Sequence, residues 1–395
     1  MSYYLLGLAL AGMAWIAIQY VSGAHWSTAL RRVPEAMAGT LPLAALGVLC
    51  ILAFHPSIYS WTKGLHIEGD APGFKQMWLS LPFFRIRAVV YLVGWLGFSW
   101  ATLRISRQQD ADGDPGHTRR STALAAVFLV FFGITFWLAS FDWIMSLEPE
   151  WYSTIFGFYN FAGAFLSGLA VLTLLLIWLQ RSSPLRDVIR EQHLHDMGKL
   201  LFAFSTFWAY LWFSQYMLIW YADIGDETAY YTARLHNAWA PLFLLNMILN
   251  WAVPFAALLP RGTKRSARAL GRVAAVVLAG RILDVYLLIA PPLVGSRPAV
   301  GVGTIGALAG AAAIAVFAFY RGIRGAARSL SAHPRLSRRR ARGGHPDADR
   351  SRARRASNPW PPGKGRSSAA GAAAPDRAGR SSASPAAAPR RAARP

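Results

Sequence analysis

The chain has 395 residues, 54% of them hydrophobic and only 15% charged, with 16 Trp, 14 Tyr and 22 Phe. That balance excludes a soluble globular domain and belongs to a membrane protein. The formal net charge of +22 implies no nucleic-acid partner, because residues 321–395 carry 19 of the 41 Lys and Arg but three of the 19 acids.

Taken in order, the apolar runs predict an all-α polytopic membrane protein with nine spans at about 2–22, 36–54, 86–104, 121–142, 155–180, 197–222, 236–259, 269–290 and 299–320. A bundle of helices over 1–320 is the architecture that satisfies the backbone in lipid. The segment 321–395, rich in Arg, Ala, Pro and Ser, has too little apolar surface to offset the entropy of ordering and is expected to be a disordered cytoplasmic tail.

The connections alternate in charge. Arg31 and Arg32, then Arg104, Arg107, Arg119 and Arg120, then Arg181, Arg186 and Arg190, then Arg261, Lys264, Arg265 and Arg268 fall on one side, with the basic tail. Glu148, Glu150, Asp223, Asp226 and Glu227 fall on the other. The positive-inside rule makes the first side, and with it the C-terminus, cytoplasmic. Residues 55–87 blur the pattern, since Lys63, Lys75, Arg85 and Arg87 are assigned to the outer side.

Ordinary cofactor chemistry finds no ligands. None of the nine histidines sits in the middle of a predicted span, so a haem held between transmembrane histidines is not expected, and the single Cys50 cannot ligate an iron–sulfur cluster. No Gly-rich phosphate loop carries a following Lys and Ser or Thr.

What remains is a sparse set of polar groups. Asp142 closes the fourth span, where it is a proton acceptor, a partner for a cation on a neighbouring helix, or a solvated helix-end carboxylate. Glu148 and Glu150 suit a solvated loop. Asp284 lies deeper, with Arg281 three positions earlier on the same helical face, so a local ion pair and a relay role both remain open. Asp196 and Lys199, three apart with His193 and His195 nearby, suit either a helix-start pair or the mouth of a proton path. His236 opens the seventh span and is a further candidate for the proton path. Gln215, Asn246 and Asn250 suit polar contacts between helices, with a proton-wire role as the alternative.

Six stretches carry a resemblance: ALRRVPEAM (29–37), LPFFRIR (81–87), ASFDWIMSLEPEWYSTIFGFYNFAGAF (139–165), HDMGKLLFAFSTFWAYLWFSQYMLIWYA (195–222), WAPLFLLNMILNWAVPF (239–255) and GRILDVYLLI (280–289). In this wording and order the chain resembles ActF, the membrane subunit also described as quinone-binding subunit 2 of alternative complex III, in the NrfD/PsrC-like superfamily. The resemblance implies a subunit of a respiratory quinol:cytochrome c oxidoreductase in a bacterial cytoplasmic (inner) membrane. It implies partner subunits with haem c and iron–sulfur clusters, namely a multihaem cytochrome c, an iron–sulfur protein and a paralogous NrfD-like subunit. This chain would then bind no redox cofactor itself, and would supply scaffold, quinone contact and proton conduction, with the main quinol site in the paralogue. The family carries ten spans, one more than counted here, and its pattern has no counterpart of the basic tail. A secondary transporter and a purely structural anchor are the competing readings; the transporter lacks a visible repeat and paired broken helices.

Overall fold

The computed structural model describes residues 1–24, 30–63, 72–114, 116–182, 189–236 and 238–298 continuously, and isolated positions between 301 and 319. The ninth predicted span and the tail lie outside the continuously described residues. Within them every regular element is helical. In chain order these are α1 (Ser2–Val21), α2 (Arg32–Ala38), α3 (Leu41–Phe54), α4 (Pro72–Trp78), α5 (Leu81–Asp112), α6 (Gly116–Trp143), α7 (Phe156–Ser182), α8 (Glu191–Ala222), α9 (Gly225–Leu235), α10 (Ala240–Met247), α11 (Val253–Leu258), α12 (Arg261–Arg265) and α13 (Ala267–Val294).

Seven of these segments are long and apolar enough to cross a membrane, with α2–α3 and α10–α11 each counting as one. The sixth predicted span is helical throughout, as α8, but misses on hydropathy. Its Trp, Tyr, Ser and Gln residues lower its mean hydropathy, although most of an aromatic ring is apolar surface. Its start also differs from expectation. The helix begins at Glu191, where the His193 ring accepts from the Arg190 backbone N–H, so Asp196 and Lys199 sit more than a turn inside it. The acidic loop after α8 yields a helix that the sequence pattern did not predict, α9.

The central element is α7, which packs against α1, α6, α8 and α13. Its most apolar window is 72% buried and that of α1 67%, against 33% for α5, so α5 is peripheral and shows an apolar flank. Small residues permit the close approaches: a Cβ at Gly168 would lie 2.4 Å from Ala11 Cβ.

Two irregularities follow from proline. Pro254 has no N–H to offer the Asn250 carbonyl one turn back; the intervening turn is a π-helix, Ile248–Ala252, and the Ser205 hydroxyl donates to that carbonyl instead. In α13 Pro291 likewise leaves the Leu287 carbonyl short of a donor, and Arg234 Nε supplies one at 3.3 Å. A side chain from another helix thus replaces the backbone bond missing at Pro254 and at Pro291, as a low-dielectric surrounding favours.

Candidate functional site

Asp142, at the end of α6, is 1% exposed. It is therefore not a solvated helix-end group. Arg87 of α5 forms a two-pronged ion pair with it, Nε to Oδ2 at 2.9 Å and Nη2 to Oδ1 at 2.8 Å. Trp78 Nε1 donates to Oδ1 at 2.9 Å and the Tyr91 hydroxyl to Oδ2 at 3.0 Å. Four donors occupy the four acceptor directions of the carboxylate. The guanidinium also lies 4.0 Å over the Trp78 ring and 4.5 Å over Phe83. One of the cations that blurred the charge alternation, Arg87, is thus an interior residue neutralised within the bundle, whereas Arg85 is exposed.

Asp284 and Arg281 of α13 are 1% and 2% exposed. Tyr159, from the first turn of α7, donates its hydroxyl to Asp284 Oδ1, and Asn246 Nδ2 donates to the same oxygen at 2.8 Å. Asn250 Nδ2 in turn donates to Asn246 Oδ1 at 2.7 Å. The π-turn and the Ser205 bond to the Asn250 carbonyl hold these two asparagines in line with Asp284. The second carboxylate oxygen is treated differently. Arg281 Nη2 lies 2.8 Å from Oδ2 but without hydrogen-bond alignment, so Oδ2 has no donor among the described residues, nor do Arg281 Nε and Nη1 find an acceptor. Arg281 fits only because residue 163 is glycine: a Cβ there would fall 2.0 Å from Nη2.

A cavity of about 10 Å³, the space of one water centre, opens beside Asp284 between Tyr159, Gln215, Tyr231, Arg234 and Asn246. Gln215 Nε2 donates to the Tyr231 hydroxyl at 3.2 Å, and its Oε1 has no donor among the described residues. On the far side Arg234, 1% exposed, pairs with Glu148 at 3.1 Å and lies 3.5 Å over the Tyr230 ring. Trp151 stacks on Tyr230 at 4.0 Å. Burial pushes the Tyr230 phenol above its ordinary range while Arg234 pulls it back, and burial raises Tyr231 as well. Glu148 is a quarter exposed, so polar groups run from Asn250 through Asp284 and the cavity to the surface.

The opposite end of the bundle holds a further buried carboxylate, Glu35, bound by Arg31 Nε and Arg32 Nη1 at 2.7 Å each and by the Ser106 hydroxyl. Arg32 also pairs with Asp110. From Arg87 to Ser106 α5 advances by 19 residue steps, about 28 Å of helix and close to the thickness of a hydrocarbon core. The polar clusters therefore lie at two depths separated by an apolar middle.

Asp196 and Lys199 form an ion pair at 2.6 Å with Lys199 more than half exposed. His236 is exposed and its backbone ends α9. The structure brings Asp284, Arg281, Asn246 and Asn250 into one network that reaches Gln215 across the cavity; Asp142 belongs to another, and Asp196, Lys199 and His236 are at the periphery. Sequence reasoning did not single out Tyr159, Arg234 and Glu35. A signal existed for Arg234 and Glu35, since a charge flanked by apolar residues at a helix end needs a partner. For Tyr159 there was none, because 14 tyrosines look alike in sequence.

Among the described residues no three His, Cys, Asp or Glu side chains are grouped to share a metal ion. The Asp284 cavity and a second, apolar one beside Gly12 and Gly168 are both water-sized, so neither accommodates a quinone head group. Comparison of the chain with protein-family models and with curated proteins gives no match.

Proposed function

We propose that this chain is an integral membrane subunit of a respiratory quinol:acceptor oxidoreductase of the alternative complex III type, in which it supplies scaffold and a proton station at Asp284. The family assignment rests on the long motifs given above, in their order. The proton role rests on one observation: Asp284 is buried beside a water-sized cavity with one carboxylate oxygen lacking a donor. A carboxylate so placed can take a proton on Oδ2 while Tyr159 and Asn246 continue to hold Oδ1. Arg281 keeps the anion tolerable in a low-dielectric surrounding. Glu148, held by Arg234, is the exit toward the surface. The redox centres and the main quinol site belong to partner subunits.

Purification of the tagged chain from its native bacterial membrane should bring with it a multihaem cytochrome c, an iron–sulfur protein and a second membrane subunit. Recovery as a lone chain, with membrane quinol oxidation unchanged on deletion of its gene, would sink the assignment. The proton role is separable: Asp284→Asn should assemble and pass electrons while the ratio of protons moved per electron falls. An unchanged ratio leaves the chain as an anchor.

A further inference from the structure

The exposed face of α8 differs from those of α5 and α6. On α5 and α6 the bilayer meets side chains such as Val89, Val93, Val127 and Val130, while Tyr91, Ser99, Thr135 and Ser140 are buried. A surface against acyl chains requires that division, since lipid tails offer a hydroxyl no partner. α8 departs from it at Tyr210, which is 63% exposed, with Phe207 and Phe213 exposed on either side and half-buried Ser214 one turn on. Neither hydroxyl has a hydrogen-bond partner among the described residues. Serine is able to turn back to a carbonyl of its own helix. The phenol of Tyr210 stands too far from the backbone to do so.

Depth makes that hydroxyl costly. Ring contacts between Phe202 and Phe255 at 5.2 Å and between Trp212 and Phe243 at 5.3 Å set residues 202–212 alongside α10–α11, one of the seven apolar spans. Tyr210 therefore lies within the apolar layer, 12 residue steps or about 18 Å of helix from the end of α8 at Ala222. Helical side chains lean toward the N-terminus, here away from the nearer end of the span, so the phenol does not snorkel to water.

These constraints select the occupant. Acyl chains have no acceptor at that depth, whereas a polar side chain on another membrane helix does. The face also has the repeat of a packing seam: Ala203, Tyr210 and Met217 are seven apart, as are Phe207, Ser214 and Tyr221, which suits a helix crossing at about 20°. Pairing the face with its own copy would set aromatic rings against aromatic rings. Large side chains fit best against small ones, so the partner has a different sequence.

We propose that the Tyr210 face of α8 seats a transmembrane helix of another subunit, with small residues along the contact and a hydrogen-bond acceptor opposite Tyr210. The site is separate from the proton station and rests on the reading above only in placing a second membrane protein beside this chain.

The test is photo-crosslinking in the native bacterial membrane, with benzoylphenylalanine replacing Phe207 or Phe213 and, for the background of lipid adducts, Val90 of α5. Sequencing of the crosslinked peptides should place both α8 positions on the same apolar segment of one other polypeptide. Lipid adducts alone, attachment to a second copy of this chain, or attachment to its own residues 299–320 overturns the proposal. In the purified assembly Tyr210→Phe should shed that polypeptide about three- to tenfold faster in detergent, the worth of one hydrogen bond between membrane helices. Tyr221→Phe is the control, because Tyr221 is 84% exposed at the helix end, where water serves its hydroxyl. Equal shedding by Tyr210→Phe and the unmodified chain overturns the acceptor. A crosslinked helix in an assembly that lacks redox subunits upholds this face and sinks the oxidoreductase reading; redox subunits without such a crosslink do the reverse.

Discussion

Asp142 and Asp284 have nearly the same inventory: a buried aspartate, an arginine at 2.8 Å, and a tyrosine hydroxyl. They differ in saturation. Asp142 receives four donors, two on each oxygen, from α4 and α5, and ties the first residues of α5 to the end of α6. Asp284 receives both its hydrogen bonds on one oxygen, and the other is without a donor. Protonating Asp142 would break bonds that hold the fold together, whereas Asp284 Oδ2 carries only the unaligned ion pair with Arg281. Burial and an ion pair thus do not distinguish a clamp from a proton station; the count of filled lone pairs does.

Breaking the clamp is the strongest test of that contrast. Arg87→Ala strands the Asp142 carboxylate in the bundle and should cost about 3–5 kcal/mol, seen as a collapse in the yield of monodisperse protein. Asp142→Asn should also lower the thermal midpoint strongly, because its amide places donors against the donors of Arg87. Asp284→Asn keeps both bonds on the oxygen side, so its loss should be nearer about 1.5–3 kcal/mol. Equal losses for the two asparagine variants, by thermal unfolding in the same detergent, would erase the distinction.

Smaller changes sharpen it. Gly163→Ala drives a methyl group onto Arg281 and should cost about 1–3 kcal/mol while lowering the ratio of protons to electrons, an effect expected of no glycine near Asp142. Ser205→Ala removes the donor to the Asn250 carbonyl, a loss of about 1 kcal/mol. Pro254→Ala in the same chain restores a backbone N–H one turn on, and the thermal midpoint should recover. Lys199→Ala breaks only an exposed pair, and a shift under about 0.5 kcal/mol is expected.

Some of this was legible in the chain itself. The spacing of Arg281 and Asp284 by three residues is sufficient for their pairing, because a helix brings such positions to one face. The asparagines at 246 and 250, four apart, share a face in the same way, and the structure links them through Asn250 Nδ2. The membrane class follows from composition, since runs of apolar residues of this length have no other stable setting. Nothing local, however, indicated that Asp142 would meet a residue 55 positions earlier or Glu148 one 86 positions later.

Periodicity and composition therefore determined the long apolar helices, though not α9, and the shared faces of Arg281 with Asp284 and of Asn246 with Asn250, because those depend on neighbours within a few turns. Which helix supplies the partner, how many donors reach each carboxylate, and where a water-sized gap remains depend on packing between segments far apart in sequence. Only the tertiary structure decided those, and they are what separates the fully bonded Asp142 carboxylate from the half-bonded one of Asp284.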